Sequence, residues 1–336
     1  MAGKLPFVTL AVAESQGRQR SQPVLKFILH RLVLLVPVLL IVTLLASLLI
    51  YFTPGDPVRV MLGLRANEEA VKAIRAELGL DKPLYVRYLK WLGHIVRGNL
   101  GRSLQRNEDI REMILARMPA TLELNAFAIF VAVLLAIPLG VISAVKANTL
   151  VDNLSSFFSL FWVAMPGFWI ALIALLLFSM KLHLFPISGR LGPIWTAQGL
   201  WSLLLPGFIL GVRQVAIISR LIRSGMLEVL NEEYIRTARS KGLGERMVIY
   251  KHALRNSMVP TVTIFGLQLP ELLSISVILE IVFAWPGLGM LLVDAVFKRD
   301  YTLIQGIVLV YSVLVIAVNV MVDVLYAYID PRIKYE

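Results

Sequence analysis

Six stretches of roughly twenty residues carry almost no charge, and nothing else in the sequence restricts the fold as much. An apolar helix needs about 20 residues to cross a bilayer. Residues 32–52, 124–145, 154–180 and 303–322 contain no charged side chain. Residues 200–219 contain one, Arg213, and residues 259–284 contain two, Glu271 and Glu280. Within lipid every backbone polar group must be bonded inside its own segment, so spans of this kind are helices. The expected fold is an all-α polytopic membrane protein with six transmembrane helices. Composition agrees. Of 336 residues, 58% are hydrophobic and 16% charged, against about 45–50% and about 25% in soluble chains. So much apolar surface does not fit one soluble core. The absence of cysteine removes disulfides, thiolate metal sites and a Cys nucleophile.

Six spans put both termini on one side. With the termini in the cytoplasm, Lys and Arg number 16 on either side of the membrane. The 53–117 loop holds 12 of the outer ones, and the positive-inside rule weakens for loops above about 60 residues. Without that loop the balance is 16 against 4 and favours cytoplasmic termini. The net charge of +11 therefore indicates topology rather than a nucleic-acid partner. Residues 1–25 are mixed and polar and lack signal-peptide features. They are expected to form a cytoplasmic extension ahead of a membrane domain over 26–336.

Two loops carry structure. In 53–117, Asn67 reads as an N-cap before Glu68 and Glu69, with Val71, Ile74 and Leu78 on one face and Gly79 as the stop. Pro83 can open a second helix through Val96, with Tyr85, Leu89 and Leu92 as its stripe. The result is a helical cap, either a lid or a docking surface. In 220–258, Asn231 reads as an N-cap, Glu232 and Glu233 as first-turn acids, and Gly242-Leu243-Gly244 as the stop. A second helix is expected from Glu245 to Asn256, before Pro260. The basic residues Arg236, Arg239, Lys241, Arg246, Lys251 and Arg255 suit either a helix seated in a partner's groove or a topology-fixing loop.

The run Glu233-Tyr-Ile-Arg-Thr-Ala-Arg-Ser-Lys-Gly-Leu-Gly244, extended by His252-Ala-Leu-Arg-Asn-Ser-Met-Val-Pro260, resembles the cytoplasmic loop of ABC-transporter permeases. Arg236-Thr237-Ala238 and Gly242 occupy the Glu-Ala-Ala and Gly positions of the general motif. The Arg in first place resembles the dipeptide/oligopeptide branch. Pro54-Gly-Asp-Pro57, Glu77-Leu-Gly-Leu-Asp-Lys-Pro83, Gly98-Asn-Leu-Gly-Arg-Ser103 and Arg220-Leu-Ile-Arg-Ser224 fit the same branch. So do Glu280-Ile-Val-Phe-Ala-Trp-Pro-Gly-Leu-Gly289, Arg299-Asp300-Tyr301, Asp323-Val-Leu-Tyr and Asp330-Pro-Arg-Ile333. The resemblance covers about residues 26–335.

It implies the ABC importer permease fold and one of two permease subunits, the second being homologous and different, in a bacterial inner membrane. Two partner subunits would bind ATP and Mg, and an extracytoplasmic solute-binding protein would deliver di- or oligopeptides. Relatives of this type also take nickel, glutathione or other small solutes. The coupling helix that docks on the ATPase would carry Tyr234, Arg236, Thr237, Ala238, Lys241 and Gly242. No cofactor is implied for this chain.

No G-x-x-x-x-G-K-[ST] run is present, and no G-x-S-x-G or H-E-x-x-H, so neither ATP binding nor a catalytic role is expected here. His30, His94, His183 and His252 are scattered and do not suggest a metal site. Charges inside spans are functional-site hypotheses. Glu271 departs from the small or neutral residues of the family pattern. It either faces a translocation pathway with Gln268 and Arg213 nearby, or pairs with Arg213 or a partner subunit. Glu280 reads as a structural partner of the Trp285-Pro-Gly turn, and Glu123 as interfacial. A secondary transporter is the competing reading, but it would need coupling-ion sites and usually internal repeats. An intramembrane enzyme would need a nucleophile and base, and none is visible.

Overall fold

The computed structural model describes residues 24–52, 58–59, 67–77 and 81–329. Among these the regular structure is helical, with loops between the helices and one isolated bridge pairing Arg102 with Asp109. The helices are α1 (Val24–Phe52), α2 (Glu68–Glu77), α3 (Leu84–Val96), α4 (Ile110–Val145), α5 (Leu150–Ala164) and α6 (Gly167–Ala174), the last continuing as a π-helical turn over Leu175–Lys181. They are followed by α7 (Ala197–Val229), α8 (Glu233–Ser240), α9 (Glu245–Val282), α10 (Leu288–Phe297) and α11 (Tyr301–Ile329). The extension expected over 1–25 lies almost wholly outside the described residues, and Val24 already belongs to α1. Pro54–Pro57, Gly79 and Asp330–Ile333 also lie outside them.

Four of these helices (α4, α7, α9 and α11) are long and apolar enough to cross a membrane, and a bent pair, α5 and α6, makes a fifth candidate. The apolar part found in α1 is the shorter Leu35–Leu48. The six-span count is thus approximate, and one expected span differs in kind. Residues 154–180 do not form one continuous helix: α5 and α6 meet at 103°. Pro166 disfavours a helical conformation in the residue before it, and Met165 is extended at φ −85°, ψ 136°. By contrast α9 runs straight through Pro260, where a boundary was expected after Asn256. Ending a helix in apolar surroundings would leave several backbone groups unbonded, whereas an internal proline removes one bond. A π-helical turn over Val248–Leu254 lies in the first part of α9, ahead of Pro260.

The span α4 extends well beyond the membrane. Its 36 residues give about 54 Å at 1.5 Å per residue, far more than a hydrocarbon core of about 30 Å. Its start is fixed by Asp109, whose side chain accepts from Arg111 N at 2.8 Å. Helices α4 and α7 form the central pair because small residues let their backbones approach. Ala128, Ala132 and Ala136 are fully buried. A Cβ at Gly211 would stand 2.6 Å from the Ala128 carbonyl oxygen. Small residues at such seams are how helices associate in lipid, where no hydrophobic force separates tails from side chains. Apolar clusters fill the middle around Trp285, the end that carries α8, and the opposite end between α4, α10 and α11.

Candidate functional site

At the α8 end the chain presents a short helix on a packed base. Ile235 and Ala238, three residues apart, are buried against Ile222, Met226, Val248 and Ala253. The opposite face, with Tyr234, Arg236, Thr237 and Lys241, is exposed. Of the six residues assigned to the coupling role, Ala238 therefore faces inward and holds the helix in place. Gly242 ends the helix at φ +76°, a conformation that costs glycine little. Its N–H bonds to Arg239 O at 2.9 Å and Leu243 N to Ala238 O at 3.4 Å, the paired bonds of a Schellman stop. The start differs from expectation. Glu232 is the extended cap residue, while Asn231 donates from Nδ2 back to Leu227 O at 2.8 Å and closes α7 instead. Two side-chain ties brace the loop. Arg239 holds Glu245 through both ends of its guanidinium, at 2.7 and 3.2 Å, and that hydrogen-bonded carboxylate raises the Arg239 pKa above its ordinary value. Asn256 Nδ2 donates to the Tyr234 hydroxyl at 2.7 Å. α8 is thus tied to the ends of α7 and α9 by packing and by side-chain bonds.

Sequence reasoning missed the strongest polar cluster near this end. Asp152, on the first turn of α5, is 2% exposed. Arg223 of α7 donates to it twice, Nε at 2.5 Å and Nη2 at 2.6 Å, and Ser143 Oγ and Asn148 N complete its shell. Bidentate guanidinium–carboxylate pairs have high geometric specificity. Arg223 lies in the Arg220–Ser224 run, but its partner is 71 positions away in the sequence. The only local signal was an aspartate at the edge of an apolar stretch.

Along α9 the residues Thr263, Leu267, Glu271, Ser274 and Ile278 form an exposed stripe. Glu271 sits in the middle of it. Arg213 Nη2 lies 3.5 Å from its Oε1, with side-chain exposures of 38% and 47%, so this is a long, open pair. Gln268, one turn earlier, is half-buried. The structure thus brings Arg213, Gln268 and Glu271 to one neighbourhood.

Glu280, nine residues on, is in the opposite condition. It is fully buried. Thr121 Oγ1 donates to its Oε1 at 2.7 Å and Met290 N to its Oε2 at 3.0 Å. Thr121 accepts in turn from Leu288 N at 2.8 Å, and Trp285 Nε1 donates to Ala120 O at 2.8 Å. The carboxylate caps the start of α10, where helix N–H groups lack partners. A Cβ at Gly287 would lie 2.3 Å from the Glu280 carboxyl carbon, so only glycine fits. Glu123 is paired rather than merely interfacial. Arg190 grips it at 2.7 and 2.8 Å. A third buried carboxylate, Asp300, joins two distant runs. It accepts from Ser103 Oγ and from Leu104 N at 3.2 Å on one side, and from Leu303 N at 3.3 Å on the other. Among the described residues no group of His, Asp and Glu is arranged to hold a metal.

The protein is thus a bundle of long helices with one exposed, partly polar stripe on α9 and a braced terminal loop, and comparison with known proteins places it in a family. The family model described as "Binding-protein-dependent transport system inner membrane component" matches residues 136–335. Its N-terminal companion matches residues 24–125. The chain belongs to this family of membrane transport components. It is 40% identical over 314 residues to the oligopeptide transport system permease protein AppB of Bacillus subtilis, with 92% of this chain and 99% of that one covered. It is 42% identical over 334 residues to the di/tripeptide transport system permease protein DppB of Pseudomonas aeruginosa, covering 93% and 99%. Among solved structures, an inward-facing MetNI methionine ABC transporter chain superposes with a TM-score of 0.53 at 15% identity, over 66% of this chain and 97% of that one. At that identity the likeness concerns the fold.

Proposed function

We propose that this chain is one of two permease subunits of an ATP-driven importer for di- and oligopeptides. The observation that carries the reading is 40–42% identity along more than nine-tenths of the chain to permeases named for dipeptides, di/tripeptides and oligopeptides. Both termini and α8 lie in the cytoplasm, as the charge balance of the short loops favours. The exposed face of α8, with Tyr234, Arg236, Thr237 and Lys241, docks on an ATP-binding subunit that carries ATP and Mg. Because Ile235 and Ala238 lock α8 to the ends of α7 and α9, closure of the ATPases tilts those spans as rigid bodies. The open stripe of α9 faces a second, different permease subunit, and between them lies the pathway, with Arg213, Gln268 and Glu271 on its wall. A solute-binding protein delivers the peptide from outside, and the α2–α3 cap belongs to that face.

Uptake of a labelled dipeptide by cells lacking this chain, restored by the native gene, tests the substrate. The reading predicts competition by unlabelled di- and tripeptides. If nickel or glutathione competes and peptides do not, the peptide assignment fails. If uptake runs on an ion gradient without ATP, the importer assignment fails.

A further inference from the structure

A second open region lies between α5 and α7, on the α8 side of the Arg213–Glu271 pair. It is a cavity of about 560 Å³. Leu160 and Val163 of α5 and Ile217 and Leu221 of α7 give it apolar walls. Its polar groups are the hydroxyls of Ser156 and Ser224 and the guanidinium groups of Arg220 and Arg223. Ser156 and Val163 lie six and thirteen residues past Leu150, the start of α5, or about 9 and 20 Å along the helix. Arg220 stands nine residues before Val229, the end of α7, or about 14 Å. The cavity is therefore sunk into the bundle rather than lying at its rim.

The two arginines differ in their partners. Asp152 engages Arg223 through both Nε and Nη2. Arg220 has no hydrogen bond and no ion pair among the described residues, and the hydroxyls of Ser156 and Ser224 have no hydrogen bond either. One positive charge in an apolar-walled cavity is thus left without a counter-charge. A charge of this kind is costly within a membrane segment, and it marks a binding function by default. A guanidinium with free hydroxyls in the same cavity favours a carboxylate, which it can hold through two parallel N–H···O bonds.

The register of α7 connects this cavity to the open stripe of α9. Arg213, Ile217, Arg220 and Ser224 follow at intervals of four, three and four, so they share one face of the helix. The opposite face, with Ile218, Ile222 and Met226, is buried. Arg213 is the member of this row that lies 3.5 Å from Glu271. From Arg213 to Arg220 is seven residues, or about 10 Å. An open carboxylate therefore stands at one end of the row and an unpaired guanidinium two turns away. An extended peptide spans at most about 3.3–3.6 Å per residue. Two or three residues cover the distance once the reach of an arginine side chain is included.

We infer that the α5–α7 cavity is the subsite for the C-terminal carboxylate of the transported peptide, and that Arg220 is the residue that reads it. Glu271 takes the amino terminus, Arg220 takes the carboxylate, and the Ser156 and Ser224 hydroxyls donate to the same oxygens. Asp152 keeps Arg223 from competing for them. The inference rests on the peptide-importer reading above and adds to it a contact that recognises a free peptide end.

The test is transport into vesicles by the assembled complex, at peptide concentrations that saturate the binding protein. A tripeptide with a free carboxylate is compared with the same tripeptide carrying a C-terminal amide. The native complex is expected to carry the acid faster than the amide. Arg220→Gln should slow the acid about tenfold, the size of one charge-assisted contact, without slowing the amide, so that the preference disappears. Arg220→Lys should recover part of it, because the charge remains and the planar fork is lost. Ser156→Asp puts a competing carboxylate into the cavity and should abolish the preference through a different residue, which keeps the test decisive if the Gln variant unfolds. A native complex without preference, an unchanged preference in Arg220→Gln, or an equal fall for acid and amide overturns the subsite. Loss of the second permease subunit from a folded Arg220→Gln chain also overturns it and makes Arg220 an assembly contact. A native complex that hydrolyses ATP but carries neither peptide removes the importer reading and the subsite together, a result distinct from any confined to the variants.

Discussion

Two glutamates on α9, nine residues apart, occupy opposite environments. Glu280 is fully buried, with hydrogen bonds from Thr121 and from the backbone of the turn that starts α10. Glu271 is half-exposed, with one charged neighbour at 3.5 Å. A charge inside a membrane segment is costly in either place. The surroundings of Glu280 offset the cost with a complete local shell, and Gly287 and Gly289 beside it leave no room for any other arrangement. The middle region leaves its carboxylate open to whatever passes or packs beside it. Completeness of the shell, rather than presence in a span, separates a structural acid from a candidate pathway acid.

That contrast can be broken by substitution. Glu280→Ala should cause the largest loss, about 4 kcal/mol, because it strands the Thr121 hydroxyl and the Met290 N–H inside the protein. Thermal unfolding in detergent would show it, and an unchanged midpoint would remove the structural role. Asp152→Ala extends the same logic to the α8 end. It leaves Arg223 facing an empty site and should cost about 3 kcal/mol, again read from unfolding. Asp294 on α10 tests the partly exposed case. Burial raises its pKa, but Lys298 and Arg106 outweigh that and leave it below the ordinary carboxylate value. A folded-state value below the unfolded one gives stability that is present at neutral pH and fades as pH falls through the acid range. Screening keeps it small, so Asp294→Asn should cost about 1 kcal/mol or less and should flatten the acid limb of a stability–pH curve. Glu271→Gln should change stability least, by under about 0.5 kcal/mol. Its expected effect is on transport, as an altered preference between cationic and anionic peptides in uptake competition. Uptake with unchanged charge preference would remove Glu271 from the pathway.

The parts of this fold that follow local rules were legible in the sequence. Charge-free runs located the long helices, and Gly242 and Pro83 mark helix ends through their own backbone chemistry, whereas the start of α4 at Asp109, well ahead of the apolar run 124–145, was not read. The helix of the α8 loop and its glycine stop could be read because both lie within twelve residues, although its cap is Glu232 rather than Asn231. What could not be read depends on distant partners. Asp152 meets Arg223 across 71 positions, and Asp300 meets Ser103 across 197. Neither spacing has a period that sequence can reveal. The effect of a proline within a span is not legible for a related reason. Pro166 breaks its span while Pro260 and Pro270 sit inside α9, and the outcome depends on what surrounds the freed backbone. Ala238 shows the limit of a motif: the resemblance grouped it with the docking residues, and the structure buries it against the base of α8.

The central claim is that the exposed face of α8 transmits ATPase motion to the spans. It is tested most directly in the purified complex, expressed with its neighbouring genes and reconstituted with the binding protein. Peptide-stimulated ATP hydrolysis would be compared for the native chain and for Arg236→Glu with Lys241→Glu, two exposed positions whose reversal leaves the buried base intact. The account predicts that native complexes contain ATP-binding subunits and respond to loaded binding protein, and that the reversed pair loses the ATPases or the response. A chain that purifies alone, or a reversed pair that remains fully coupled, would contradict it.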